Sequence, residues 1–353
     1  MTRSPQYLTA LFVTSLAVDL VLVACARRLA IASGFVARPN PIVKSHRVPV
    51  PYLGGAAFVL GYAAMLGIAC RLMPALHTPG AIARAGAALA LAAFGTIDDR
   101  RPLGPMVKLL VQAVICAGYL LCTNRDPGRF SFIFQLLVLL TLVNAYNLID
   151  VMDGLLCLLT VTAILGLLAV AGRTAGRLEI ELMLGLAATV ALFMFNRPPA
   201  RIYSGDAGSL ALGFLIGAWC LSAAEGAPPA QVVAMLGVVG VPLLELALIV
   251  PARILRGRNP LRGSPDHFSL RLQDRLGWGP WRVLACTLVL AVLFAIAPLL
   301  ETRLARVALL AYAAAIMVLA LAVWWKLWRL APQGLPTAAA RGGGPGSSPV
   351  LPA

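Results

Sequence analysis

Residues 131–154 read Ser131-Phe-Ile-Phe-Gln-Leu-Leu-Val-Leu-Leu-Thr-Leu-Val-Asn144-Ala-Tyr-Asn147-Leu-Ile-Asp150-Val-Met-Asp153-Gly154. The run starts uncharged, and through residue 148 it has the length and apolarity of a bilayer-crossing helix. At its end polar residues return at every third position: Asn144, Asn147, Asp150 and Asp153. On an ideal α-helix a three-residue step turns about 300°, so each lags the last by about 60°. Asn144, Asn147 and Asp150 then share a face, while Asp153 points nearly opposite Asn144. Either the helix tightens or breaks near Gly154, or Asp153 serves another part of a pocket. Asn and Asp in apolar sequence can be inter-helix hydrogen bonds. An acid near the bilayer centre costs roughly 2.5–3.5 kcal/mol, however. Two amides and two acids together therefore point to function.

The same apolar texture extends along the chain. Of 353 residues, 60% are hydrophobic and 12% charged, against about 25% charged in soluble domains. Eleven apolar segments stand out, at about 8–28, 52–72, 80–97, 107–123, 131–148, 156–171, 179–196, 208–224, 231–252, 281–299 and 303–325. The expected fold is all-α: a polytopic transmembrane helix bundle of about 11 spans, one integral membrane domain over 1–330. A Gly-, Pro-, Ala- and Ser-rich tail, 331–353, is expected to be disordered and cytoplasmic. No internal repeat is visible. Leu22-Val23-Ala24-Cys25 resembles a lipoprotein processing site, but Asp19 interrupts the run before it, and a retained first span is expected. The seven cysteines form no CxxC pair and read as small core residues.

The net charge of +15 suggests nucleic acid, but the basic residues are scattered between spans and form no stripe. The positive-inside rule accounts for them. With alternating connections, 20 of the 29 Lys and Arg fall on one side and the other nine opposite. The richer side is expected to be cytoplasmic, with the N-terminus outside and the C-terminus inside. Seven of the fourteen acids join it: Asp98, Asp99, Asp150, Asp153, Asp206, Asp266 and Asp274. Acids gathered at one membrane face suggest a shared wet pocket.

Four further motifs lie on that side. Phe94-Gly-Thr-Ile-Asp98-Asp99-Arg100 closes the third span and Lys108 opens the fourth; adjacent carboxylates can serve a metal, a base or a helix cap. Asn196-Arg-Pro-Pro-Ala-Arg-Ile-Tyr203-Ser-Gly205-Asp206-Ala-Gly208-Ser209 runs into the eighth span. Asp206 sits between glycines at a helix start, where backbone N–H groups favour anions and a carboxylate can hold Mg²⁺ against phosphate; the alternative is an N-cap. A basic loop carries Ser264-Pro-Asp266-His267-Phe-Ser-Leu-Arg271, either solvated or a pyrophosphate or sugar contact. Lys44-Ser-His46-Arg-Val-Pro-Val-Pro51-Tyr-Leu-Gly54-Gly55 leads into the second span; alone it reads as a positive-inside anchor. No GxxxxGK[ST], GxGxxG, HExxH or GxSxG motif is present, which argues against an ATPase, a nicotinamide enzyme, a zincin or a serine hydrolase.

In order and sidedness these five motifs, over about residues 38–272, resemble the polyprenyl-phosphate N-acetylhexosamine-1-phosphate transferase family. The resemblance implies ten or eleven transmembrane helices around a cytoplasmic-facing groove, in a bacterial inner membrane. It implies transfer of a sugar 1-phosphate from a UDP-sugar to polyprenyl phosphate, releasing UMP, with Mg²⁺ (or Mn²⁺) as cofactor and a homodimer as one assembly. Carried across by motif, Asn147 and Asp206 look like the metal ligands, and Asp98, Asp99, Lys108 and Asp150 like the catalytic cluster. Lys44, His46, Asn144, Asp153, Asn196, Tyr203 and His267 look like the substrate-binding set. Relatives often carry several histidines where this chain has His267-Phe268-Ser269-Leu270, and the motif at Lys44 lacks the Lys-rich form of the peptidoglycan lipid I enzyme. Both departures point away from a muramyl-pentapeptide substrate, towards the O-antigen and teichoic-acid initiating enzymes.

Two rival readings stay open at this point. A proton-coupled carrier also uses intramembrane acids, but it predicts mid-span acids and broken helices in matching repeats. A scaffold for glycan assembly would not need Asn-Asn-Asp-Asp at one loop. Direct attack by the lipid phosphate and a covalent carboxylate intermediate are equally compatible with the residues.

Overall fold

A computed structural model describes residues 5–37, 49–123, 129–171, 176–225, 235–255, 257, 266–300 and 306–329. Lys44, His46 and the tail 331–353 lie outside the described residues. Twelve α-helices run through those described: α1 (Pro5–Ala32), α2 (Gly54–Leu72), α3 (Pro79–Arg100), α4 (Pro105–Thr123), α5 (Arg129–Ile149), α6 (Leu155–Ala171), α7 (Gly176–Asn196), α8 (Gly205–Ala223), α9 (Gly240–Leu255), α10 (Phe268–Leu276), α11 (Pro280–Leu300) and α12 (Arg306–Arg329). The fold is an all-α polytopic membrane bundle. Eight of these helices are long and apolar enough to cross a membrane, and three more expected spans are apolar helices with shorter runs: 155–169, 280–296 and 314–326.

The structure adds a pair of strands and a short helix to the expected set. Strands β1 (Val36–Ala37) and β2 (Val50–Pro51) pair antiparallel. The nine-residue helix α10 rises from the basic loop, where a short amphipathic segment does not stand out among Arg residues. Within the ninth expected span a 3₁₀ turn (Leu236–Val239) precedes α9.

Helix α8 is the axis of the bundle, enclosed along nearly its whole length by α2, α3, α5 and α6. Lipid is as apolar as Leu, so helices associate in a bilayer through close packing of small residues. That packing is visible where α8 begins. A Cβ on Gly95 of α3 would collide with the Asp206–Ala207 backbone, and one on Gly55 of α2 with Gly208. Gly54 and Gly55 also donate backbone N–H groups to the carbonyls of Tyr203 and Ser204, at 3.0 Å each. The first turn of α8 is thus clasped by two neighbours.

The opposite end is tied by charge. Arg84 of α3 makes a two-pronged contact with Glu181 of α7, Nη2 to Oε1 at 2.6 Å and Nε to Oε2 at 2.8 Å. Its Nη1 donates to Ser222 of α8 at 2.9 Å, and Tyr62 of α2 donates to Glu181 at 3.2 Å. Four helices meet in this buried cluster. All seven cysteines are free; Cys116, Cys157 and Cys220 are buried, but Cys25, Cys122 and Cys286 lie on the outer surface and are not core residues.

Candidate active site

Four helix ends converge opposite that cluster. Helix α3 ends in Asp98-Asp99-Arg100, α4 begins just before Lys108, α5 ends at Ile149 and α8 starts at Gly205. Asn144 and Asn147 therefore sit on the last turns of α5, whereas Asp150 and Asp153 lie in the turn that follows. The helix breaks at Ile149, before Gly154, whose φ is +77°. The 60° drift of a continuous helix does not apply to the two acids.

Lys108 holds the centre. Its ammonium contacts Asp98 Oδ2 and lies 2.6 Å from Asp206 Oδ2. Asp98, buried, also accepts from Leu103 N at 2.8 Å, which fixes the chain between α3 and α4. Asn147 Nδ2 donates to Asp206 Oδ1 at 3.0 Å and to Ser209 Oγ at 2.9 Å. Ser204 Oγ donates to Asp150 Oδ2 at 2.7 Å. Asp98, Lys108, Asn147 and Asp206 thus form one bonded group, with Asp150 joined through the Ser204–Asp206 segment.

The adjacent carboxylates divide their work. Asp98 meets Lys108, but Asp99 turns to the start of α8 and accepts from Asp206 N at 3.0 Å and Ala207 N at 3.5 Å. Both cap readings are answered here: Asp206 is not the cap of α8, and Asp99 caps it from another helix. Gly205 makes room for this. Its φ is +63°, and a Cβ there would strike Asp99 Oδ2, so both backbone and space call for glycine.

The expected substrate-binding residues fall into two groups. Asn144 donates to Gln112 Oε1 and Leu140 O, both at 2.8 Å. Asn196 is buried and stitches two loops: Oδ1 accepts from Gly154 N at 3.0 Å, and Nδ2 donates to Ile202 O at 2.9 Å. These two amides brace the walls. Asp153 and Tyr203 lie nearer the mouth. Asp153 Oδ2 accepts from Ala200 N at 2.9 Å, and the Tyr203 ring lies 6.1 Å from that of Tyr52. Burial, then the negative charge of Asp99, Asp150 and Asp206, pushes the Tyr52 phenol up to about 12. Burial and Asp153 likewise raise the Tyr203 phenol.

His267 is not in the Lys108 group. It is buried against Glu245 and Arg253 of α9. Leu272 of α10 forms a small apolar cluster with Val283, against which Phe268 and Met152 of the Asp150–Asp153 turn pack. Sequence reasoning missed Gln112, Ser204, Ser209, Tyr52 and Glu245. The signal for Glu245 was available, since it is an acid inside the apolar run 231–252. Ser204 and Ser209 stood inside a quoted motif but carry no charge to set them apart.

The oxygens of Asp206, Asp98, Asp150 and Asn147 are hard donors of the kind Mg²⁺ prefers. Among the described residues no three His, Cys, Asp or Glu side chains close on a point as a metal cage. One or two carboxylates completed by phosphate and water are the usual Mg²⁺ arrangement, and the residues fit that. Lys108 already sits between two of the carboxylates, a position that a cation's charge suits.

Acids and a lysine gathered at the ends of membrane helices are the kind of group that can hold a phosphate together with a divalent cation. The model of glycosyl transferase family 4 matches residues 81–224, from α3 through α8, the stretch that supplies every member of the Lys108 group. Over that stretch the chain is similar to that family. It is 27% identical over 274 residues to the "Probable undecaprenyl-phosphate N-acetylglucosaminyl 1-phosphate transferase" of Bacillus subtilis (strain 168), covering 72% of this chain and 74% of that protein. It is 27% identical over 263 residues to the undecaprenyl-phosphate alpha-N-acetylglucosaminyl 1-phosphate transferase of Escherichia coli (strain K12), covering 68% and 69%. The similarly named protein of Yersinia pestis matches at 27% over 262 residues.

Proposed function

We propose that this chain transfers an N-acetylhexosamine 1-phosphate from a UDP-sugar to undecaprenyl phosphate, giving undecaprenyl-diphospho-sugar and UMP. The observation that carries the reading is Lys108 held between Asp98 and Asp206 where α3, α4, α5 and α8 end. The names of the relatives supply the lipid acceptor and the sugar class. The 20-to-9 split of basic residues supports a site facing the cytoplasm.

Two anions must meet in this reaction, and the site's positive charge offsets their repulsion. An oxygen of the lipid phosphate attacks the sugar-bearing phosphorus of the donor. The bond from that phosphorus to the bridging oxygen breaks, and UMP leaves with the bridging oxygen. Lys108 orients the acceptor phosphate. Asp206 and Asn147 would hold Mg²⁺, which would supply charge neutralisation on the diphosphate. Asp150, fixed by Ser204, lines the other wall. Asn144 and Asn196 act as braces, and Tyr203 with Asp153 serves the nucleoside.

The test is UMP release by purified protein with undecaprenyl phosphate, Mg²⁺ and a panel of UDP-sugars. Release with a UDP-N-acetylhexosamine, dependent on the lipid, is expected. No release with any donor would overturn the reading.

A further inference from the structure

Glu245 is a buried acid in the middle of α9, far in sequence from every motif quoted above. One of its oxygens, Oε1, accepts from Phe268 N at 3.0 Å and lies 3.2 Å from His267 Nδ1. A carboxylate in this exchange is an acceptor, so the proton between them is carried by Nδ1. On the other side of the ring, Arg253 Nη2 lies 3.5 Å from His267 Nε2. Arginine only donates, so Nε2 presents its lone pair. Both ring nitrogens are thereby assigned: Nδ1 protonated, Nε2 accepting. His267 and Glu245 are each about 97% buried, so water does not compete for either bond.

The same carboxylate caps α10. Phe268 is the first residue of that helix and His267 its N-cap, and the N-cap side chain makes no cap bond of its own. Glu245 supplies the missing acceptor from another helix, as Asp99 does for α8. Helix α10 then rests on Met152, with Gln273 Nε2 2.9 Å from Met152 Sδ. A membrane-embedded carboxylate thus fixes the start of a helix that stands beside the Asp150–Asp153 turn.

We propose that Glu245 is a positioning residue for the transfer. It locks His267 in the Nδ1-protonated form, keeps Nε2 on Arg253, and so sets α10 beside the Asp150–Asp153 turn. The inference rests on the proposed transferase reading, in which Asp153, on the turn that α10 stands beside, serves the nucleoside.

The test uses full-length protein in lipid bilayers. The chain has three histidines, His46, His77 and His267, so ¹⁵N-histidine labelling gives few signals, and His267→Ala identifies the one of interest. In the unsubstituted protein, that imidazole is expected to be Nδ1-protonated with an unprotonated Nε2. Glu245→Gln keeps the shape and an acceptor for Phe268 N, but its amide can also donate. The other tautomer should then become populated. KM for the UDP-sugar should rise about tenfold, the order for loss of one charge-assisted hydrogen bond, with kcat changed less than twofold. In a His267→Ala background, Glu245→Gln should cause no further change. Unaltered imidazole signals and unaltered donor KM in Glu245→Gln would overturn the proposal. So would an equal loss in the His267→Ala background, which would mean that Glu245 acts by another route. The spectra need no turnover, so an inactive unsubstituted protein would sink the transferase reading while the tautomer assignment is still decided.

Discussion

Asp206→Asn keeps size and polarity and removes one charge. Asp206 does not cap α8, because Asp99 accepts its N–H, so the helix should tolerate the change. The folded variant is expected to lose UMP release by orders of magnitude and to show weakened Mg²⁺ dependence. Near-normal release at low Mg²⁺ would show that the ligand is wrongly assigned. Gly205→Ala tests the neighbouring residue. A non-glycine residue in the left-handed region costs about 1–2 kcal/mol, and here its Cβ also strikes Asp99. Both the unfolding temperature in detergent and UMP release should fall; an unchanged unfolding temperature would argue against the strain. At this scale much of the site was legible, because Asp98, Lys108, Asn147, Asp150 and Asp206 are polar against an apolar background. Gln112 and Ser204 were not, since a neutral polar residue in a span or loop has many uses, and only its partner reveals which.

Helix ends, more than helices, carry the site. Asp99 reaches from the last turn of α3 to the first of α8, and the two can be separated by substitution. Asp99→Asn retains an acceptor oxygen, and Asn caps about as well as Asp. Asp99→Ala removes it, at a cost of about 1 kcal/mol, and releases the first turn that carries Asp206. Activity well preserved in the Asn variant but lost in the Ala variant is the outcome expected of a cap. Equal loss in both would mean that the charge of Asp99 takes part in the chemistry. The spans could be read from hydropathy to within a few residues, since twenty apolar residues have few alternatives in a membrane. The break after Ile149 was one of the readings left open near Gly154, but the β1–β2 pairing and helix α10 could not be read. Each depends on what the segment meets: α10 exists where Glu245 caps it and Leu272 clusters with Val283.

The whole molecule is bound differently at its two ends. Opposite the site, Arg84 and Glu181 form a buried pair, and removing one partner of such a pair costs about 3–5 kcal/mol because a charge is stranded. Arg84→Met should therefore lower the unfolding temperature more than the double substitution Arg84→Met with Glu181→Leu does. A double variant as unstable as the sum of its singles would contradict this. Sidedness is a separate matter. Cysteines placed beside Asp98, Asp206 and His267 should react with an impermeant thiol reagent only when the cytoplasmic face is opened, once the surface cysteines Cys25, Cys122 and Cys286 are replaced. Labelling in intact cells would reverse the orientation. The basic residues made sidedness readable as an expectation, whereas the Arg84–Glu181 tie was hidden, its members lying 97 positions apart.

Lys108 bridges Asp98 and Asp206, and this bears on how two ligands sense each other. An acceptor phosphate that draws the ammonium away leaves two carboxylates without their counter-charge, and a divalent cation then finds them more attractive. By linkage the converse holds in equal measure: bound cation raises affinity for the lipid phosphate by the same factor. Couplings of this kind are typically about 5–150-fold. Titrating Mg²⁺ with and without undecaprenyl phosphate, by calorimetry in bilayer discs, should give that factor. In Lys108→Met it should fall towards one, and a factor unaffected by the substitution would place the communication elsewhere.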